Sequence, residues 1–411
     1  MGMVSASHGH RRYRRTIALA SISVPRSRHD RGHRVSDFCG HLLPGDRRPG
    51  GPIHDVEAHS LQQHPTSNVG SLRLYFTRST SKLRRCYREG LFSATFLLSS
   101  ATILINTCNY GVNSIGEPSQ DNWLSKAVEV LFWVYTFCSI ALAIALSYFI
   151  ISRESHTPQA ATPAWALPCF PAMLVGSVGA NVSRTLVTTT DANHNRVFPI
   201  IITSILLQGF GILISLMFIT IFLKRLMLFR LPSPNLRPGM FMAVGPPGFT
   251  SFTIIALGQL GRTVFSPSDF GIPDDFAVGD AFYVACLLTG MLFYGLAAWW
   301  LLLSTTAVAA GAIQKHALRK KNVDFNFHLS WWAFLFPNTG LVGATLLLGD
   351  IFSSPSVKWV GTAMVIIEFG VWLMLMVQTP RAVWRGRLMV PGKDEDADVE
   401  GFEKKDEVKR W

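Results

Sequence analysis

Eight long apolar runs, at 91–111, 127–151, 163–180, 197–223, 239–261, 280–313, 329–349 and 357–379, constrain this chain more than anything else in it. Each comes close to the roughly 20 residues that a helix needs to cross a bilayer. Strands are not a rival reading, because open sheet edges cannot sit in hydrocarbon. Only 16% of the 411 residues are charged, well below the roughly one quarter of a soluble chain. The sequence predicts an all-α polytopic membrane protein with eight spans.

The connecting segments alternate in charge. Arg153 follows the second run, Lys224, Arg225, Arg230 and Arg237 follow the fourth, and Lys315, Arg319, Lys320 and Lys321 follow the sixth. The other loops are acidic or poorly charged: Glu117 and Asp121, then Asp191 with Arg184 and Arg196, then Asp269, Asp274 and Asp275. The excess of Lys and Arg assigns the first set to the cytoplasm. Lys82–Arg88 and the stretch after the last run fall on that same side, so both termini are expected there, as an even number of spans requires.

Outside the runs, residues 1–90 hold 16 Lys and Arg against 6 Asp and Glu. The start is basic and Ser-rich, superficially like a mitochondrial transit peptide. Its apolar content is too low to offset the entropy of folding, so 1–89 is expected to be a disordered basic arm. Residues 90–380 form the expected transmembrane domain and 381–411 a charged cytoplasmic tail. No basic stripe crosses a polar folded domain, so nucleic acid is not an expected partner. The six Cys form no CxxC pair, and four (Cys108, Cys138, Cys169 and Cys286) sit inside apolar runs, where Cys acts as a small hydrophobe. No metal or cofactor is expected.

A rhythm runs through the spans. The third carries Pro168 and Pro171, the fifth Gly245, Pro246 and Pro247 followed by Phe249, and the seventh Phe334, Phe336 and Pro337. The fourth, sixth and eighth are plain apart from Pro199 at an edge. Proline removes a backbone hydrogen bond and kinks a helix, and interrupted helices repeated along a chain point to a substrate path. Proline is also simply commoner in membrane helices than in soluble ones. Its confinement to odd spans favours hairpins that each pair a pore-lining helix with a plain outer one. Phe334 and Phe336 read either as core packing or as a hydrophobic constriction.

Catalytic signals are thin: no HExxH, GxSxG or P-loop occurs, and no enzyme activity is expected. Asp274-Asp275 reads as a solvated turn and Glu129 as an interfacial residue. Glu368, near the middle of the last run, is the one possible intramembrane acid, and such a group is expensive in hydrocarbon. Asn181-Val-Ser183 is a glycosylation sequon on the expected outer side.

Three strings carry a family resemblance: Met240–Thr250 (MFMAVGPPGFT), Phe327–Asn338 (FHLSWWAFLFPN) and the pair Arg381–Arg385 with Pro391–Asp396. Together with Trp165–Met173 (WALPCFPAM), they resemble the fungal malic-acid transport proteins of the tellurite-resistance/dicarboxylate transporter and slow anion channel family. The resemblance covers residues 90–396. It implies ten helices in five hairpins around a pore, a homotrimer in the plasma membrane, and malate or related C4 dicarboxylates, sulfite or inorganic anions as cargo. It also implies a Phe in the ninth helix that plugs the pore, and the Trp-Trp-x-x-x-Phe-Pro string places that Phe at Phe336. Eight spans here match the family's third to tenth helices, and 1–89 has no likeness to the first hairpin. A chain that shares these motifs without transporting anything is therefore the second reading.

Overall fold

The computed structural model describes residues 94–112, 123–153, 158–189, 194–273, 275–316 and 327–386, all within one compact unit, residues 68–411. The expected basic arm at 1–89 and nearly all of the expected tail lie outside the described residues. Within them the chain is helical, with no strand. Residues 94–106 form helix α1, which ends in a π-helical turn at Thr107–Gly111. The other helices are α2 (Trp123–Arg153), α3 (Phe170–Thr189), α4 (His194–Phe229), α5 (Gly245–Val264), α6 (Val278–His316), α7 (Leu335–Ile351) and α8 (Pro355–Trp384).

Seven of the eight expected spans are helices long and apolar enough to cross a membrane. Helix α1, the first of the eight, is not among the seven. Its Ser and Thr hydroxyls lower its hydropathy, yet they are reconciled with a helix by bonding back to the carbonyls of the preceding turn, Ser99 to Thr95, Ser100 to Phe96 and Thr107 to Ile103.

The expected alternation of inner and outer helices is present in the burial. In the most apolar stretch of each span, 94%, 78% and 50% of residues are buried for the spans containing α3, α5 and α7. The corresponding shares for α2, α4, α6 and α8 are 28%, 33%, 22% and 11%. Lipid tails are as apolar as leucine, so burying side chains does little to drive these helices together, and close packing at small residues takes over. Gly211 of α4 lies directly on Met173 of α3, where an added Cβ would come within 2.7 Å of Met173 Cα.

Each inner span also has the same build. A 3₁₀ segment leads into the α-helix: Pro163–Cys169 into α3, Pro234–Val244 into α5, and Leu329–Phe334 into α7. The prolines lie at this change of winding. Pro168 is in the 3₁₀ segment, and Pro171, Pro246, Pro247 and Pro337 are in the first turn of their α-helices. There the missing N–H would have had no partner in the α-helix anyway. The expected interruption is therefore a switch of helix type within a continuous span.

Candidate pore constriction

Helices α5 and α7 cross with their backbones in contact. A Cβ added to Gly340 would lie 2.5 Å from the backbone nitrogen of Phe249, and one added to Gly248 would lie 2.9 Å from that of Leu341. One turn nearer the 3₁₀ segments, Gly245 is the meeting point of all three inner spans, its would-be Cβ 3.2 Å from Pro337 Cβ and 3.7 Å from the ring of Phe170 in α3.

This crossing brings two phenylalanines together. The rings of Phe249 and Phe336 are 5.1 Å apart between centroids and inclined at 32°. Both are half-buried and pack on the core shared by α1, α2, α3 and α5. Phe334, two residues earlier, turns elsewhere. Its ring meets Phe241 edge-on at 4.7 Å and packs with Met240, Val244, Leu341 and Trp300 in a second cluster. The two phenylalanines of the seventh run thus belong to different cores.

The remaining sequence candidates are distributed as follows. Pro168, Pro246, Pro247 and Pro337 are buried. Pro171 is buried too, and its carbonyl accepts the Tyr135 hydroxyl of α2 at 2.9 Å, tying an inner helix to an outer one. Gly245, Phe249, Phe336 and Pro337 come together at the crossing, whereas Pro168 and Pro171 stand at the start of α3 beside it. Glu368 lies on α8, half-buried. The sequon is not a glycosylation site: Asn181 is inside α3, its amide donates to the Ser177 carbonyl at 2.8 Å, and Ser183 is fully buried.

A polar seam between α3, α4 and α5 left no signal in the sequence. The Gln208 amide donates to Thr250 Oγ1 at 2.7 Å, and the Ser177 and Thr253 hydroxyls bond to each other. All four residues are buried. A single Gln in an apolar run reads as tolerated polarity, and only the register of three helices reveals its partner. Arg237 is a second surprise. It was expected in a loop, yet it is buried in the 3₁₀ entry to α5, and it donates through Nη1 to the Ala307 carbonyl of α6 at 2.9 Å and through Nε to Pro232 at 3.2 Å.

The two ends of the bundle differ in the way the charge pattern suggests. Four carboxylate pairs lie at the end where α3, α5 and α7 finish: Glu129 with Arg196, Asp269 with His194 at 2.9 Å, Asp280 with Arg262 at 2.6 Å and Asp350 with Lys358 at 2.7 Å. At the opposite end, basic side chains bind carbonyls, as Arg225 does with Gln159 at 3.3 Å. Asp269 accepts the Ser266 backbone N–H at 2.8 Å. That bond, together with the neighbouring His194, holds its carboxyl below the usual carboxylate range. Among the described residues no cluster of three His, Cys, Asp or Glu could hold a metal ion.

The model of the SLAC1 family, described as voltage-dependent anion channels, matches residues 69–380. The chain belongs to this family. Among SLAC1-family relatives, it is 30% identical over 343 residues to a malic acid transport protein of Schizosaccharomyces pombe, covering 82% of this chain and 73% of the relative. A putative malic acid transport protein of the same organism is 29% identical over 315 residues, 76% of this chain and 67% of the relative. A sulfite efflux pump of Arthroderma benhamiae is 24% identical over 319 residues, 76% of this chain and 79% of the relative. No solved structure matches. Like the rest of the SLAC1 family, the protein is a multi-pass anion channel or transporter.

Proposed function

We propose that the protein carries C4 dicarboxylates such as malate across the plasma membrane through a pore lined by the inner helices and closed by Phe336. The observation that carries the gate is the crossing of α5 and α7, which sets Phe336 against Phe249 while Phe334 is absorbed by a separate core. Phenyl rings at a constriction offer an anion nothing in place of its hydration shell, so they hold it back until they separate. Lys and Arg are absent from the middle of the described inner spans, so anions are drawn by basic groups at one end. The choice of malate follows the malic acid transport relatives.

Assembly as a homotrimer and cytoplasmic termini complete the proposal, the latter from the Lys and Arg bias of the loops. A second reading, export of sulfite or another inorganic anion, is favoured by the sulfite efflux relatives. The test is flux of labelled malate, sulfite and chloride into vesicles holding the purified full chain. Malate flux above that of empty vesicles supports the proposal, sulfite flux alone supports the second reading, and no flux of any anion assigns the chain to the non-transporting class.

A further inference from the structure

Helix α8 touches the rest of the protein along one stripe. Gly361 packs on Leu346 of α7, with a would-be Cβ 2.6 Å from Leu346 Cδ2. Met364 Sδ lies 3.8 Å from the Thr345 hydroxyl oxygen, and the Thr379 hydroxyl accepts Trp332 Nε1 at 3.0 Å. Glu368 is on this stripe, one turn beyond Met364, and so lies level with the stretch between Trp332 and Thr345. Its Oε1 is enclosed and has no hydrogen-bond partner among the described residues.

The donors of that stretch are committed within α7, apart from the second N–H of the Asn338 amide, and no hydrogen bond joins any of them to Glu368 Oε1. The Asn338 amide donates to the Phe334 carbonyl at 2.6 Å, the Thr339 hydroxyl to Phe336 at 2.7 Å and the Thr345 hydroxyl to Leu341 at 2.8 Å. The stretch does have an acceptor to spare, since the buried Asn338 Oδ1 is unpaired. Charged groups on the packed elements stand at their ends. Asp350 of α7 is paired with Lys358 of α8, Arg381 is at the far end of α8, and His328 caps the 3₁₀ segment by accepting the Ser330 N–H. Tyr294 of α6, the other titratable group nearby, shares its hydroxyl with Thr345 at 3.1 Å. A carboxylate is an acceptor only. Placed here, with no bonded donor at Oε1 and no cation beside it, it would be a charge in hydrocarbon, which is costly, whereas a neutral carboxyl brings its own donor.

We infer that Glu368 is a proton-binding site whose occupancy holds α8 against α7, so that anion flow depends on pH through this one carboxyl. On losing the proton, the carboxylate becomes a charge in the seam, and the two helices must part far enough for water to reach it. This loosens the helix that carries Phe336, so flux is higher in the deprotonated state. The inference rests on the reading of the protein as a pore, and not on which anion it prefers.

The test compares the full chain and Glu368→Gln in lipid vesicles by infrared spectroscopy and by malate and chloride flux, each across neutral to alkaline pH. The wild type is expected to show a carboxylic-acid carbonyl band that is absent from Glu368→Gln and that bleaches as pH rises, while flux increases several-fold. Flux through Glu368→Gln should be low and flat with pH, and Glu368→Leu, which suits hydrocarbon better, should behave alike. A wild type lacking that band at neutral pH overturns the proton site. Identical pH–flux profiles in wild type and both variants overturn its control of transport. Failure of the pore reading is distinct, because it abolishes wild-type flux at every pH and leaves the infrared band in place.

Discussion

Phe249 on α5 and Phe336 on α7 face each other at 5.1 Å because Gly340, one turn past Phe336, lets the backbone of Phe249 approach α7 directly. The pairing therefore depends on a backbone crossing as well as on the two rings, and the two contributions are separable by mutation.

Trimming the ring tests the gate. Phe336→Ala removes one of the two facing rings and leaves Gly340 and Pro337 in place, so anion flux per folded protein should rise. Phe334→Ala instead empties part of the cluster around Phe241 and Trp300, and should cost up to about 3–5 kcal/mol with no gain of flux. Parallel measurement of flux and of thermal unfolding in detergent distinguishes them. Loss of protein and of current together in Phe336→Ala would leave that residue as ordinary packing.

Moving the crossing tests the geometry. Gly340→Ala introduces a Cβ 2.5 Å from Phe249 N, closer than real contacts allow, so the helices must separate. Overpacking of this kind costs about 1–3 kcal/mol. A lowered unfolding temperature together with raised basal flux is expected, since the rings part when the backbones do. Gly370→Ala on α8, which has open space around it, is the control and should alter neither.

These positions also mark how far the sequence can be read. The helical class and the odd–even division were legible, because a bilayer demands long apolar runs and proline concentrates in three of them. Phe336 was singled out by a motif string, and the structure sets its ring against Phe249. Why Phe334 differs from it was not legible, since two aromatic residues spaced by two reveal nothing of the cores on either side until Phe241 and Phe249 are positioned. Of the prolines read as kinks, Pro168 lies in a 3₁₀ segment and the other four in first turns, because spacing alone cannot tell a 3₁₀ entry from an α-helix. Gln208 and Thr250 are 42 residues apart, and no local pattern couples them.

That couple can be measured directly. Thr250→Val deprives the Gln208 amide of its acceptor, and Gln208 Oε1 already has no partner, so a buried side chain would be wholly unsatisfied, at a cost of about 1–3 kcal/mol. Gln208→Leu removes the polar group altogether and should be close to neutral. The double variant should be more stable than Thr250→Val alone, giving a coupling energy that a cycle of unfolding measurements isolates. Strict additivity would mean that the bond contributes nothing.

The Asp269 carboxyl should make the loop after α5 sensitive to acid. Its value is lowered on folding, chiefly by the Ser266 N–H and then by His194. The stabilisation is thus fully present above the unfolded carboxylate range near about 4, and is lost as pH falls through the lowered folded value. Hydrogen exchange of the Ser266 amide should accelerate in that acidic window, and Asp269→Ala, which has no side-chain acceptor, should exchange fast at all pH values. Equal protection of wild type and variant at neutral pH would remove the cap from the account.

The two unlike ends of the bundle make its proposed orientation testable. Four carboxylate pairs close the end that holds Asp269 and Asp350, whereas Arg225 and Arg237 at the other end bind carbonyls. Loops rich in Lys and Arg stay in the cytoplasm during insertion, while acidic residues count for little. In a cysteine-free background, Ser268→Cys should therefore react with an impermeant maleimide on intact cells. Arg230→Cys, exposed at the end of α4, should react only after permeabilisation. Since Ser268 and Arg230 are separated by the single inner span of α5, labelling of both from the same side would break the assignment of that span, and the reverse pattern would invert the whole protein.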